Sequence, residues 1–144
     1  MGLLKLAQMP LVTVEPQTTV FEAVRMMDRE NIGAVAVLER GTLVGIFSER
    51  DVMLRVVLAG REPARTVIRD VMTSVVDTIP RDPTADEALK LMLEKHIRHL
   101  PVITSDGTLA GMLSIRNLLH EKVEELTWQL DSLEAYFTAD GAGG

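Results

Sequence analysis

Two short segments carry residues able to hold an anion. In Ser48-Glu49-Arg50-Asp51 and Ser114-Ile115-Arg116-Asn117 a hydroxyl residue stands where an apolar run gives way to a helix, and an arginine follows two places on. Free amides and the dipole at a helix start favour negative charge, and a guanidinium adds a charge-assisted donor. The same residues have a plainer use, because Ser-x-x-Asp is also a helix N-cap, with Ser48 as the cap and Asp51 at the third helical position. The two uses can coexist. His96 and His99 stand three apart, but they straddle a helix end and a strand with no third ligand near, so no metal site is expected. Nothing of the form Gly-x-Ser-x-Gly or His-Glu-x-x-His organises the serines, histidines and carboxylates, so no catalytic residue is assigned and an enzyme is not expected.

The elements that hold these segments occur twice. Glu22-Ala23 matches Glu87-Ala88 at an offset of 65 residues, which also pairs Thr19 with Thr84, Met27 with Met92, Ile32 with Ile97 and Val37 with Val102. One inserted residue near Asp106 makes the offset 66, which pairs Gly41-Thr42-Leu43 with Gly107-Thr108-Leu109, Gly45 with Gly111, Ser48 with Ser114 and Arg50 with Arg116. Each copy opens with an extended run, Leu11 to Val14 or Val75 to Ile79. A helix follows, started by Thr19-x-x-Glu22 or Thr84-x-x-Glu87, whose hydroxyl and carboxylate can satisfy orphan amides reciprocally. Two strand-length apolar runs come next, Val35 to Leu38 with Leu43 to Phe47, and Leu100 to Ile103 with Leu109 to Leu113, joined by glycine-bearing turns that predict hairpins. A second helix begins at Ser48 or Ser114, the first ending near Gly60. The unit is β-α-β-β-α, and one unit alone leaves a sheet face bare. The predicted fold is therefore α+β (α/β): two repeats packed sheet to sheet about a pseudo-two-fold axis, with a C-terminal amphipathic helix. The divisions are 1–61 for the first repeat and its lead segment, 62–120 for the second, 121–138 for the last helix, and 139–144 for a small-residue tail expected to be flexible.

Composition bounds the function classes. Fifteen basic against twenty-one acidic residues give a net charge of −6, which disfavours nucleic acid and anionic lipid as partners. The chain has no cysteine, so it has no disulfide framework and no thiolate chemistry, as suits a reducing, cytoplasmic setting. The start lacks a cationic lead and a long apolar run, so neither a signal peptide nor a membrane span is expected. Beyond Asn117, the apolar positions Leu119, Val123, Leu126, Leu130, Leu133 and Phe137 are spaced 4, 3, 4, 3, 4. Such a stripe must bury itself on its own module or against a second subunit, parallel or antiparallel.

The unit order, with Gly45-Ile46-Phe47-Ser48-Glu49-Arg50-Asp51 and Gly111-Met112-Leu113-Ser114-Ile115-Arg116-Asn117 after the third strands and His99-Leu100-Pro101-Val102 as a second strand, resembles the cystathionine β-synthase (CBS) domain, which occurs in pairs called Bateman modules. The resemblance covers about residues 10 to 120. It implies a regulatory module that binds AMP, ADP, ATP or S-adenosyl compounds, sometimes NAD, in two clefts between the repeats, and that pairs into a disc-like homodimer acting on a downstream protein. Carried over, one cleft uses Ser48, Arg50 and Asp51 with Thr78, Ile79, Arg98, His99, Leu100 and Pro101. The second, weaker cleft uses Ser114, Arg116 and Asn117 with Thr13, Val14, Gly33, Ala34 and Val35. The signature Asp holds the ribose hydroxyls, while the Ser and basic residues meet phosphate. A carboxylate accepts both hydrogens of a cis-diol, whereas Asn117 accepts through one atom and carries no charge, so the clefts are not equivalent. Two other readings compete: a ligand-free dimerisation module, in which Ser48 and Asp51 only cap, and a nucleotide hydrolase, which would show turnover with ATP and metal.

Overall fold

The computed structural model describes residues 11–74, 78–80 and 84–143. The first repeat contains β1 (Thr13–Val14), α1 (Val20–Glu30), β2 (Ala34–Glu39), β3 (Thr42–Ser48) and the one-turn α2 (Glu49–Asp51), which continues as a π-helix over Val52–Val57. The second contains β4 (Ile79–Pro80), α3 (Ala85–Lys95), β5 (His99–Ile103), β6 (Leu109–Ser114) and α4 (Ile115–Gly143). Of the extended run expected over Val75 to Ile79, residues 75–77 lie outside the described residues. Two short 3-10 turns, Pro63–Arg65 and Ile68–Asp70, lie between the repeats.

The two sheets are copies of one topology. In each, the first strand runs parallel to the second and the second antiparallel to the third, in the orders β1-β2-β3 and β4-β5-β6. Both ladders shift register at the same place, between Val37 and Leu38 and between Val102 and Ile103. The hairpins differ by the inserted residue. Glu39 pairs with Thr42 across Arg40-Gly41, both at positive φ (53° and 80°), the backbone of a type I′ turn. The longer turn is held by Thr104 and Asp106: the Thr108 amide donates to Asp106 Oδ1 at 3.1 Å and the Thr104 amide to the Thr108 carbonyl at 2.8 Å.

Three apolar clusters account for the packing. Val14, Val35, Val37 and Phe47 pack against Val20, Ala23 and Met27 of α1 in the first repeat. Ile79, Leu100, Val102 and Leu113 pack against Ala88 and Met92 of α3, with Leu118 of α4, in the second. The third cluster joins Ala34, Ala36 and Ile46 of one sheet to Leu109 and Met112 of the other. Alternate side chains thus serve alternate faces, and the bare face of each sheet is covered by its copy.

Helix termini follow the Thr-x-x-Glu signals unequally. Thr84 and Glu87 form the full reciprocal box, with the Glu87 amide donating to Thr84 Oγ1 at 3.1 Å and the Thr84 amide to Glu87 Oε2 at 3.2 Å. At α1, Thr19 accepts from the Glu22 amide at 3.2 Å, half of the box. The inter-repeat segment satisfies the next amide along, the Thr66 carbonyl accepting from Val20 N–H at 2.8 Å. Both helices end on a left-handed residue other than glycine, Asn31 and His96, again at the 65-residue offset.

The boundary expected between residues 120 and 121 is not an element boundary. One helix starts at Ile115 and runs to Gly143, taking in most of the segment expected to be a flexible tail; Ala139 and Ala142 there are good helix formers. Its start docks on the body, where Leu118 is buried and Lys122 Nζ lies 3.0 Å from Asp86 Oδ1 of α3. No helix among the described residues is long and apolar enough to cross a membrane.

Candidate functional site

The first signature closes on itself and on the chain that enters the second repeat. Ser48 is extended, and its hydroxyl accepts from the Asp51 amide at 3.4 Å while its own amide donates to Asp51 Oδ2 at 3.0 Å, so the capping box is present. Thr73 Oγ1 donates to the same carboxylate, 3.1 Å from Oδ1. Asp51 is only 6% exposed. Arg55 Nε lies 3.7 Å from Asp51 Oδ1, and its Nη1 donates to the Met72 carbonyl at 2.7 Å. Asp51 and Arg55 together fasten residues 71–73 to the helix that follows the signature.

Gly45 has a steric reason to be glycine. Ile46 and Thr73 exchange backbone hydrogen bonds of 3.0 and 2.9 Å. A methyl group at Gly45 would stand 2.8 Å from the Thr73 carbonyl oxygen and 2.7 Å from Met72 Sδ. The first glycine of the signature therefore admits a crossing strand.

The second signature is capped likewise, the Asn117 amide donating to Ser114 Oγ at 3.2 Å. The helix starts are mirrored: the Glu49 amide donates to the Gly33 carbonyl at 3.0 Å and the Ile115 amide to the Arg98 carbonyl at 2.8 Å. Asn117 is exposed where Asp51 is buried, so the copies differ in environment as well as in charge.

The two repeats meet at Gly33. A methyl group there would lie 3.1 Å from Glu49 Oε1 of its own repeat and 3.4 Å from His99 Nε2 of the other. Ala34 pairs with Ser48 in one sheet and His99 with Ser114 in the other, so this contact brings the signature-bearing ends of both sheets to one seam. Burial, and next the adjacent Arg98 guanidinium, hold the His99 pKa below its ordinary 6.5. Its neutral imidazole is an uncharged donor and acceptor at the seam. Arg50, Arg98 and Arg116 are exposed, and their side chains make no hydrogen bond or ion pair with the described residues.

The other expected wall residues differ in what they expose. The side chains of Val14 and Val35 belong to the first repeat's core and those of Ile79 and Leu100 to the second's, so they offer a cleft only backbone. Pro101 is buried and Thr78 half-buried. Thr13 borders an open groove of about 450 Å³ with Glu22, Met26 and Arg40, none of them signature residues. Sequence reasoning missed Glu49, Arg55 and Thr73. The first two sit inside or one turn beyond the signature, where i and i+4 spacing from Asp51 could have pointed to Arg55; nothing local marks Thr73.

A duplicated β-α-β-β-α unit with its capped signatures gathered at the sheet seam defines a tandem-repeat module. The CBS domain model matches residues 6–58 and 68–124, and the chain belongs to the CBS domain family. It is 35% identical over 123 residues, 82% of its length, to the mitochondrial CBS domain-containing protein CBSX3 of Arabidopsis thaliana, and spans 59% of that protein's length. Among solved structures it is similar to the CBS-domain containing protein ATU1752 from Agrobacterium tumefaciens, with 29% identity and a TM-score of 0.75 over 85% of this chain and 99% of that one. It also shares the fold of CBSX2, solved in complex with AMP, at 24% identity and a TM-score of 0.71, covering 85% of this chain and 96% of that one.

Proposed function

We propose that this chain is a regulatory CBS pair that binds an adenine nucleotide, AMP, ADP or ATP with NAD as a further candidate, at the seam between its repeats, works as a homodimer and catalyses nothing itself. The observation that carries this reading is the meeting of His99 from the second repeat with Gly33 and Glu49 beside the Ser48–Asp51 signature of the first. Three exposed arginines that make no hydrogen bond or ion pair with the described residues stand at or beside the signatures, in a chain of net charge −6. The AMP complex of the similarly folded CBSX2 supports an adenine nucleotide as the ligand class.

Asp51 links binding to shape. A ribose diol needs carboxylate lone pairs that Thr73 now occupies, so a nucleotide at Asp51 competes with the bond that fastens the inter-repeat segment. A ligand that prefers one arrangement shifts the population toward it, and a downstream protein can read the difference.

Titration calorimetry with AMP, ADP, ATP and NAD tests the site. Asp51→Asn keeps an oxygen for the Ser48 amide but loses the charge, and is expected to weaken the best ligand by about tenfold or more, which is about 1.4 kcal/mol. Equal affinities in wild type and variant remove Asp51 from the site.

A ligand-free interaction module is the second reading, favoured by the burial of Asp51 and the full use of its carboxylate by Ser48 and Thr73. Mass spectrometry of protein purified without added nucleotide separates the two. A retained adenine compound excludes a purely structural role.

A further inference from the structure

From Val123 to Phe137 every residue of α4 is exposed. Within that stretch and just before it, Leu119, Val123, Leu126, Leu130, Leu133 and Phe137 form one stripe, each between 46% and 65% exposed. A helix that touches nothing along four turns gains no packing energy, and isolated helices of that length are marginal in water. The stripe therefore calls for a cover that the described body of the chain does not supply.

The pattern itself names the cover. Spacings of 4, 3, 4, 3, 4 read the same in both directions, so reversal about residue 128 pairs Leu119 with Phe137, Val123 with Leu133 and Leu126 with Leu130. A two-fold interface has this property: residue i meets j and j meets i. Charge favours the antiparallel sense over the parallel one. The first half of the helix holds Arg116 and Lys122 with Glu121, Glu124 and Glu125, and the second Asp131 and Glu134. Parallel alignment sets every one of these beside its own copy, whereas reversal brings Glu134 level with Lys122 and leaves Asp131 with Glu125 as the one like-charged level.

We infer that α4 is the dimerisation element and pairs with α4 of a second copy of this chain, antiparallel and centred on residue 128. This rests on the homodimer proposed above and specifies its surface.

The chain has no cysteine, so introduced ones report alone. Under mild oxidation, a mixture of Leu119→Cys and Phe137→Cys proteins is expected to give a disulfide-linked heterodimer, while neither variant alone gives a covalent dimer. Covalent homodimers of Leu119→Cys alone, whose copies lie about 27 Å apart along an antiparallel pair, indicate a parallel pair and overturn the inference. Light scattering adds a second readout: wild type at dimer mass, and Leu126→Gln/Leu130→Gln, built from a good helix former at exposed positions, at monomer mass with the cooperative thermal transition of the two-sheet body retained. A double variant that stays dimeric overturns the surface but not the homodimer. A monomeric wild type overturns both, and leaves nucleotide binding to be judged by calorimetry.

Discussion

Asp51 shows how one side chain can serve a fold and offer a site. Its carboxylate caps a helix through Ser48 and holds the incoming strand through Thr73. The Ser-x-x-Asp spacing made the cap legible in the sequence, but Thr73 stands 22 residues away with no motif around it. Gly45 was legible as part of a signature, yet its reason appears only when Met72 and Thr73 cross it. Because one of the obstructing atoms is a backbone oxygen, Gly45→Ala must displace the Ile46–Thr73 bridge, and a loss of about 1–3 kcal/mol is expected in urea denaturation. His99 makes the seam sensitive to acid. Its folded pKa lies below the unfolded value of about 6.5, so the folded state prefers the neutral ring. Its contribution is whole above that value, declines as pH falls below it, and levels off under the folded pKa. Denaturation midpoints at about pH 7.5 and about pH 5.5 are expected to differ less in His99→Gln than in wild type.

Among the elements, the hairpins and first helices of both repeats stand close to where the apolar periods and turn glycines set them, because local rules decide them. The unequal caps were beyond those rules. Thr84 has its full box, so Thr84→Ala is expected to cost about 1 kcal/mol. The type I′ turn also has an improvable residue. Arg40 sits at φ 53°, a conformation that asparagine tolerates far better, and Asn-Gly is the favoured pair there. Arg40→Asn is expected to raise the thermal midpoint by a few degrees in calorimetry, as about 1 kcal/mol does for a domain of this size. The last helix was read correctly in its stripe and wrongly in its extent. Periodicity reports which face is apolar, but neither where a helix joins the one before it nor where alanines carry it on.

For the molecule as a whole, duplication was the most legible fact, since an offset of 65 to 66 residues predicts two sheets with one bare face each. The third apolar cluster, Ala34, Ala36 and Ile46 against Leu109 and Met112, is the contact that prediction required. Carrying family positions across told less about the site. Strand alternation turned Val14, Val35, Ile79 and Leu100 into the cores, while His99 and Gly33 came to the seam. Hydrogen–deuterium exchange with and without AMP tests that seam most directly. Binding between the repeats predicts joint protection of the Gly45–Asp51 and Arg98–Leu100 amides, drawn from both copies at once. Protection confined to the Thr13–Glu22 groove, or none at saturating nucleotide, contradicts it.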